Sequence, residues 1–482
     1  MTTTGTRTPT GPSGPNAAGP HPTNPIGAHT TPTHNPVIKT PPSKGSREST
    51  TQNGSVIRTR SNGKVSDLHD PKRGMDVHQG LNGSRRVSVE RPDHSRMVYE
   101  RGRPGYVQRG YSFHGQNFER RTYSYGGRTY DHFYHGYRYH GVDIEVYAPS
   151  GYFGRGYYGW AYNPWAAPIR YRWGWMGNPW YGYYGGFFTP YPVYPSAAFW
   201  LTDYLISSNL QAAYAAQQET GEANGNPSAA TAPLSPDVKQ MIADEVRNQL
   251  ALENQEAQQN AQQQDVDPGS SGIARMMSDA ANGQTHVFVV DTALDVVDSS
   301  GTECPLSDGD ALLLRSAPAP DATAADLRVL ASKGGQECPK ADTVSVAFDA
   351  LQEMQNHMRE SIDQGLQELK TNQGKGGLPV APVAAQLSPA VYTALAPPPD
   401  PNAANEIQQQ AQQADQAVND ASTAASQQGQ AATATIAVGQ TFDEVETILG
   451  PPVNKAIVGS KVIYNYKDLK VIFMDGRVAD VE

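Results

Sequence analysis

Three segments of the chain repeat one pattern: YSFHGQNF at residues 111–118, YSYGGRTY at 123–130 and YRYHGVDI at 137–144. The unit is aromatic-x-aromatic-x-Gly-x-x-apolar. Side chains two residues apart share a strand face, so each aromatic pair reads as one side of a strand. Glycine accepts the positive φ of a tight turn, and the apolar residue after it returns against the rings. The pattern predicts an antiparallel meander in which a ladder of rings replaces a deep aliphatic core. Tyr111, Phe113, Tyr123, Tyr125, Tyr137 and Tyr139 then form a candidate platform for sugars, peptidoglycan, bases or a second copy of the chain. Arg120, Arg121, Arg128 and Arg138 lie between the rings and are placed to stack on them.

Working outward, Asn53-Gly54, Asn62-Gly63 and Asn82-Gly83 each adjoin a short apolar run. Asn-Gly is the two-residue hairpin signal because both positions tolerate positive φ, so the meander extends over 52–147. Residues 1–51 are rich in Thr, Pro, Gly and Asn and are expected to be a disordered tail, since they hold too little apolar surface to offset chain entropy. On the other side, 148–218 is denser still in rings: 20 of the 25 tyrosines and all six tryptophans lie between Tyr99 and Trp200. Trp173 and Trp175 join the candidate platform. Interleaved Pro and Gly predict looped or extended backbone here, with no helix before a closing amphipathic one at 197–218. Gly154, Gly156 and Gly159 match the glycine pattern of dinucleotide-binding folds by letter only, because no helix is expected after them. His132, His135 and His140 resemble a metal cluster by spacing. Alternation turns His135 away from the other two, so no metal set is expected.

Ser235-Pro236-Asp237 carries a helix-start signature, followed by a stripe at Val238, Ile242, Val246 and Leu250 suited to a short helix pair or trimer rather than a long coiled coil. A Gln-rich spacer completes 219–283. Residues 284–370 read as five short strands and a helix whose apolar side is Leu351, Met354, Met358, Ile362, Leu366 and Leu369. By strand count and spacing, 284–347 resembles bacterial SH3-like barrels, which implies a small β-barrel. Cys304 and Cys338 each sit in Gly-x-Glu-Cys-Pro at expected hairpin tips, which predicts a disulfide, with two buried thiols as the alternative. The Ala, Gln and Pro of 371–433 read as a flexible tether.

The last segment, 434–482, holds a capping box at Thr441 and Glu444, a helix with Val445, Ile448 and Leu449 on its apolar side, and three strands before an Asp475-Gly476 turn into a fourth. On Gly439-x-Thr441, Leu449-Gly450-x-Pro452, Tyr464-x-Tyr466, Val471-x-Phe473 and Gly476-x-Val478 it resembles the SmpA/OmlA-type domain of the outer-membrane barrel-assembly lipoprotein. The resemblance implies an α+β protein-docking domain of the cell envelope. The fold class read from the whole is multidomain and mainly β: an aromatic β-meander, a small barrel, long disordered linkers and a terminal helix on an antiparallel sheet.

Charge is divided. Residues 1–200 carry 23 Lys and Arg against 11 Asp and Glu, and the remainder 15 against 37, within a net charge of −10. A basic front calls for a polyanionic partner or for contact with the acidic back, within one molecule or between copies. No catalytic constellation and no cofactor motif stands out, so the expected function is a non-enzymatic cell-envelope structural or interaction protein whose aromatic region contacts a polymer or surface. The alternative is a nucleic-acid binder, since the Arg/Gly/Tyr mixture with Arg101 and Arg103 suits stacking and phosphate contact. No run of apolar residues is long enough for a transmembrane helix. The expected compartment is the periplasm or envelope if an export signal precedes Met1, and the cytoplasm otherwise.

Overall fold

The meander is wider than its sequence signals. The computed structural model describes residues 42–51, 54–220, 232–262, 267–381, 386–432, 436, 438–458, 461–466 and 469–481, and these belong to one compact unit. Residues 1–41 of the expected disordered tail lie outside the described residues, as does Asn53. Within that expected tail, however, Arg47–Thr50 forms β1, the edge of a ten-stranded sheet. It continues in chain order through β2 (Val56–Thr59), β3 (Val65–Asp70), β4 (Met75–Gln79), β5 (Arg85–Glu90), β6 (Arg96–Glu100), β7 (Gly105–Phe113), β8 (Gln116–Tyr125), β9 (Arg128–Tyr139) and β10 (Val142–Ala148), every neighbour antiparallel.

Turn chemistry divides the sheet. In the repeats, His114-Gly115, Gly126-Gly127 and His140-Gly141 all have positive φ at both positions, the type I′ geometry that matches strand twist. At Asn62-Gly63 and Asn82-Gly83 only the glycine has positive φ. There the asparagine Oδ1 instead accepts from the N–H two residues on, Lys64 and Ser84, at 3.0 Å. These are longer turns closed by a glycine, so the expected two-residue Asn-Gly hairpin is corrected.

After β11 (Gly151–Phe153), two short helices interrupt the aromatic segment: α1 (Arg155–Tyr162) and α2 (Pro179–Tyr184). This overturns the expected absence of helix. Pro179 sits at the first helical position, where no N–H is needed, and the glycines of α1 are outweighed by burial of Tyr157, Tyr158 and Ala161. A helix therefore does follow Gly154. Yet Gly156 and Gly159 lie inside α1, and β11 pairs antiparallel, so the parallel strand-loop-helix unit of dinucleotide folds is not formed. Next, α3 (Ala197–Thr220) is buried on more than one face, Asp203 included. α4 (Pro236–Ala261) starts as read: Ser235 accepts from the Val238 N–H, and Val238, Ile242, Val246 and Leu250 are buried. That stripe packs in the cluster of α1 and α3. The helix runs on through the expected Gln-rich spacer, where Glu256 is buried against Arg359.

α5 (Ile273–Ala281) leads into β12 (His286–Val289), β13 (Leu294–Asp298), β14 (Glu303–Leu306), β15 (Ala311–Leu314), β16 (Ala324–Ala331) and β17 (Thr343–Ala347). Their order is β12-β15-β16-β17-β13-β14, an open six-stranded sheet. No closed barrel is found among the described residues, where a small β-barrel was expected at 284–347. α6 (Phe348–Asn372) buries all six residues of its expected stripe. Gly365 in that helix lets α3 approach, since a Cβ there would lie 2.5 Å from Leu201.

The expected tether at 371–433 is structured over most of its length. β18 (Leu387–Pro389) pairs with β11, α7 (Val391–Ala394) buries Tyr392, and α8 (Ala403–Ala432) is a 30-residue helix. Ile407, Ala414, Ala417 and Ala421 of α8 pack on Ile57, Val77, Val87, Met97 and Val107 of the large sheet. Alanine favours helix, but tertiary packing of one face is what holds such a sequence in place.

In the C-terminal segment α9 (Phe442–Leu449) carries its capping box, with Glu444 accepting from the Thr441 N–H at 2.7 Å. β19 (Asn454–Val458), β20 (Lys461–Asn465), β21 (Lys470–Met474) and β22 (Arg477–Val481) form a consecutive antiparallel sheet over Val445, Tyr464, Val471, Phe473 and Val478. Asp475 and Gly476 turn β21 into β22 with positive φ at both positions.

Candidate functional site

The eight expected platform residues occupy four places. A two-residue turn pairs residues an odd number apart, whereas the repeats start at 111, 123 and 137, an even number apart. Successive aromatic pairs therefore alternate between the two faces of the sheet. Half-buried Tyr111 and Phe113 pack with Phe118, Phe133 and Tyr392, and the Tyr111 hydroxyl donates to the Tyr392 carbonyl at 3.1 Å. Tyr123 and Tyr125 lie on the opposite face. Tyr137 and Tyr139 return to the first face but pack beside α5 and α6: the Tyr137 hydroxyl accepts from the Ala274 N–H at 3.2 Å, and the Tyr139 ring is 5.3 Å from Phe348. Trp173 is buried and stacks on Trp175 and Trp200 at 5.2 and 4.8 Å, its Nε1 donating to the Tyr194 hydroxyl.

Of the eight, Tyr125 alone is exposed, at 51%. It stands at the β8–β9 hairpin tip with Tyr130, 38% exposed, which stacks on Tyr123 at 5.4 Å with ring planes 9° apart. Exposed Arg128 follows the turn. Tyr130 is the residue that the repeat reading passed over, although it stands at the apolar position of the second unit.

Most of the remaining polar chemistry faces inward. Arg121 is 1% exposed, its guanidinium 4.6 and 3.9 Å from the ring centres of Tyr106 and Tyr134. Glu145 and Glu353 pair with it at 2.5 Å. This is the arginine-on-ring stacking expected of the repeats, but it lies in the interior. The Tyr134 hydroxyl donates to Glu360 at 2.5 Å, and Glu360 lies 3.2 Å from His132. Burial opposes ionisation of Glu360, yet His132 and Tyr134 outweigh it and bring the carboxyl down to about 2. Deeper, Glu253, Glu256 and Asp363 surround Arg359; burial raises Asp363 to about 7 and Glu253 well above the carboxylate range. The sequence signal missed is on α6: Glu353, Asn356, Glu360 and Asp363 recur at helical spacing beside the apolar stripe. Asn356 also closes the sheet edge, accepting from the Tyr147 N–H at 2.9 Å and donating to the Glu145 carbonyl at 2.7 Å.

The basic front is answered by the acidic back of the same chain. Arg60 pairs with Asp295 and Glu303, Arg91 and Arg109 with Glu406, Arg103 with Asp308, and Arg85 with Asp415. Arg120 bonds Asp131 and the carbonyls of Pro397 and Pro398 rather than a ring.

Two other groupings invite a chemical reading. Ser307 Oγ lies 2.8 Å from Lys333 Nζ, the spacing of a serine with a lysine base. Burial disfavours the ammonium, but Asp310 and Glu337 outweigh it and hold Lys333 above its usual range. The three histidines of the spacing motif have separate surroundings: His132 faces Glu360, His135 stacks near Phe118, and His140 Nδ1 lies 3.0 Å from the Ala322 carbonyl. Cys304 and Cys338 form a disulfide with Cα atoms 5.1 Å apart. Cys304 lies within β14 rather than at a hairpin tip, and Cys338 lies in the β16–β17 connection. Among the described residues no helix is long and apolar enough to cross a membrane. Set against known proteins, the chain matches no family model, no curated protein and no solved structure.

Proposed function

We propose that this chain is a non-enzymatic interaction protein of an oxidising cell-envelope compartment such as the periplasm. In this reading the β8–β9 tip contacts an envelope polymer and the C-terminal sheet docks a protein partner. The observation that carries it is the tip itself: Tyr125 and Tyr130 stay exposed while Tyr111, Phe113, Tyr137, Tyr139, Trp173 and Trp175 are engaged in packing. Tyrosine rings offer an apolar face to the C–H side of a sugar and a hydroxyl to its polar edge. The Cys304–Cys338 disulfide supports the compartment, since such bonds persist where thiols are not kept reduced. Partner docking rests on the SmpA/OmlA resemblance of 434–482. The nucleic-acid alternative is weakened because Arg103, which it invoked, is paired with Asp308.

Co-sedimentation of the full chain with peptidoglycan tests the reading. Tyr125→Ala with Tyr130→Ala is expected to weaken retention by about tenfold, the scale of a lost ring contact. Equal retention of variant and wild type sinks the polymer contact. Steeply salt-dependent binding to single-stranded oligonucleotides, with none to peptidoglycan, would install the alternative.

A further inference from the structure

The two halves of α4 are held by different means. The first buries Val238, Ile242, Val246 and Leu250 in an apolar cluster, whereas residues 251–261 have Leu252 as their only large apolar side chain. In that second half Ala257 packs at the margin of the cluster of Tyr152, Ala390 and Tyr392, and Glu253 and Glu256 turn inward, 0% and 5% exposed. Its ionic link to α6 is the pair of Glu256 with Arg359 at 2.5 Å.

That link carries too many acids. Glu253, Glu256 and Asp363 all act on Arg359 or on one another, so three buried carboxyls share one guanidinium. Both Glu253 oxygens and Oδ1 of Asp363 have no hydrogen-bond partner among the described residues, while Oδ2 of Asp363 accepts from the Tyr147 hydroxyl at 3.0 Å. The groups facing the cluster from neighbouring elements do not restore the balance. Burial holds Tyr147 on β10, Tyr152 on β11, Tyr158 on α1 and Tyr392 on α7 above the ordinary phenol range, so they stay neutral. His132 on β9 is taken by Glu360 of α6 at 3.2 Å. Buried like charges short of a counter-ion do not all ionise, so the cluster keeps protons that solvated carboxyls would give up.

We propose that the second half of α4 is a pH-sensitive latch: while Glu253 and Asp363 keep their protons it lies docked on α6 and β11, and losing them releases it. The helix end can open by itself, because the apolar stripe holds the first half in place. Burial raises Asp363 from 3.8 to about 7 and Glu253 well above the carboxylate range. The docked helix therefore binds more protons than the released one: the stabilisation is complete below about pH 4 and is lost as pH rises through about 7. The latch does not depend on the polymer contact at the hairpin tip.

Hydrogen–deuterium exchange of the full chain between pH 5 and pH 8, corrected for the intrinsic pH dependence of exchange, tests this. Protection of the amides at 253–261 is expected to fall by about tenfold per pH unit for each proton lost, with the amides at 242–250 unchanged as the control for global opening. Glu253→Gln should reduce that slope. Glu253→Gln with Asp363→Asn leaves Glu256 matched one to one with Arg359 and should hold protection level across the window. Equal protection of 253–261 at pH 5 and pH 8, a fall shared by the whole of α4, or a wild-type slope in the double variant overturns the proposal.

Discussion

The two ends of the ten-stranded sheet are built on the same hydrogen-bond ladder and covered by helices of opposite character. Strands β2–β6 meet α8, whose buried face is Ile407, Ala414, Ala417 and Ala421 over valine, leucine, isoleucine and methionine. Strands β8–β10 meet α6 through Glu353, Asn356, Glu360 and Asp363, which engage Arg121, His132, Tyr134, Tyr147 and the edge backbone. One half is centred on apolar area, which pH leaves alone, with the Glu406 and Asp415 ion pairs at its margin. The other adds to the apolar contact of Ile144 and Val146 with Leu351 and Met354 a set of buried polar and charged groups that must be paired to justify their burial. A regular sheet thus says little about what stabilises it; the covering helix decides.

The largest break in this comparison is Ala414→Asp, which places a carboxylate in the closed apolar contact and should cost about 5 kcal/mol, read as a lowered urea midpoint with early proteolysis of α8. An unchanged midpoint would mean that α8 is not part of the core. On the polar side, Arg121→Met leaves Glu145 and Glu353 without their cation and should cost about 4 kcal/mol by the same unfolding measurement.

Glu360→Gln sharpens the contrast through pH. The folded carboxyl titrates at about 2, below its ordinary 4.5, so its stabilisation is complete above about pH 4.5 and lost as pH falls toward about 2. The gap between wild type and variant should be about 3 kcal/mol near neutrality and close near pH 2, on the scale of 1.36 kcal/mol per unit. A gap that stays constant across that window would refute the charge-based account. The smallest expected effect is Asn356→Ala, which uncaps the β10 edge and should cost about 2 kcal/mol, with faster amide exchange at Tyr147 as its specific mark.

How much was legible follows the range of each interaction. The Ser235 cap, the Thr441–Glu444 box, the stripe from Leu351 to Leu369 and the glycine turns of the repeats could all be read, because each is settled within a few residues. The faces of the aromatic pairs depend on turn length and repeat spacing together, and pattern alone joined them wrongly into one platform. α8 reads as a tether because an Ala/Gln stretch acquires its reason to be ordered only from strands some 300 residues earlier. The open sheet in place of a barrel has the same origin: its strand order is not sequential, so spacing along the chain does not reveal which edges meet. At the candidate site, Tyr125 was in view from the start, but Tyr130 emerged only when the neighbouring rings were seen to be packed.

The sequence by itself determined where this chain turns, caps and alternates, since backbone conformation and first-turn hydrogen bonds are decided by neighbours. Tertiary structure alone decided which rings are free and which arginines are paired, because burial and ion pairing belong to whichever distant helix comes to lie on the sheet.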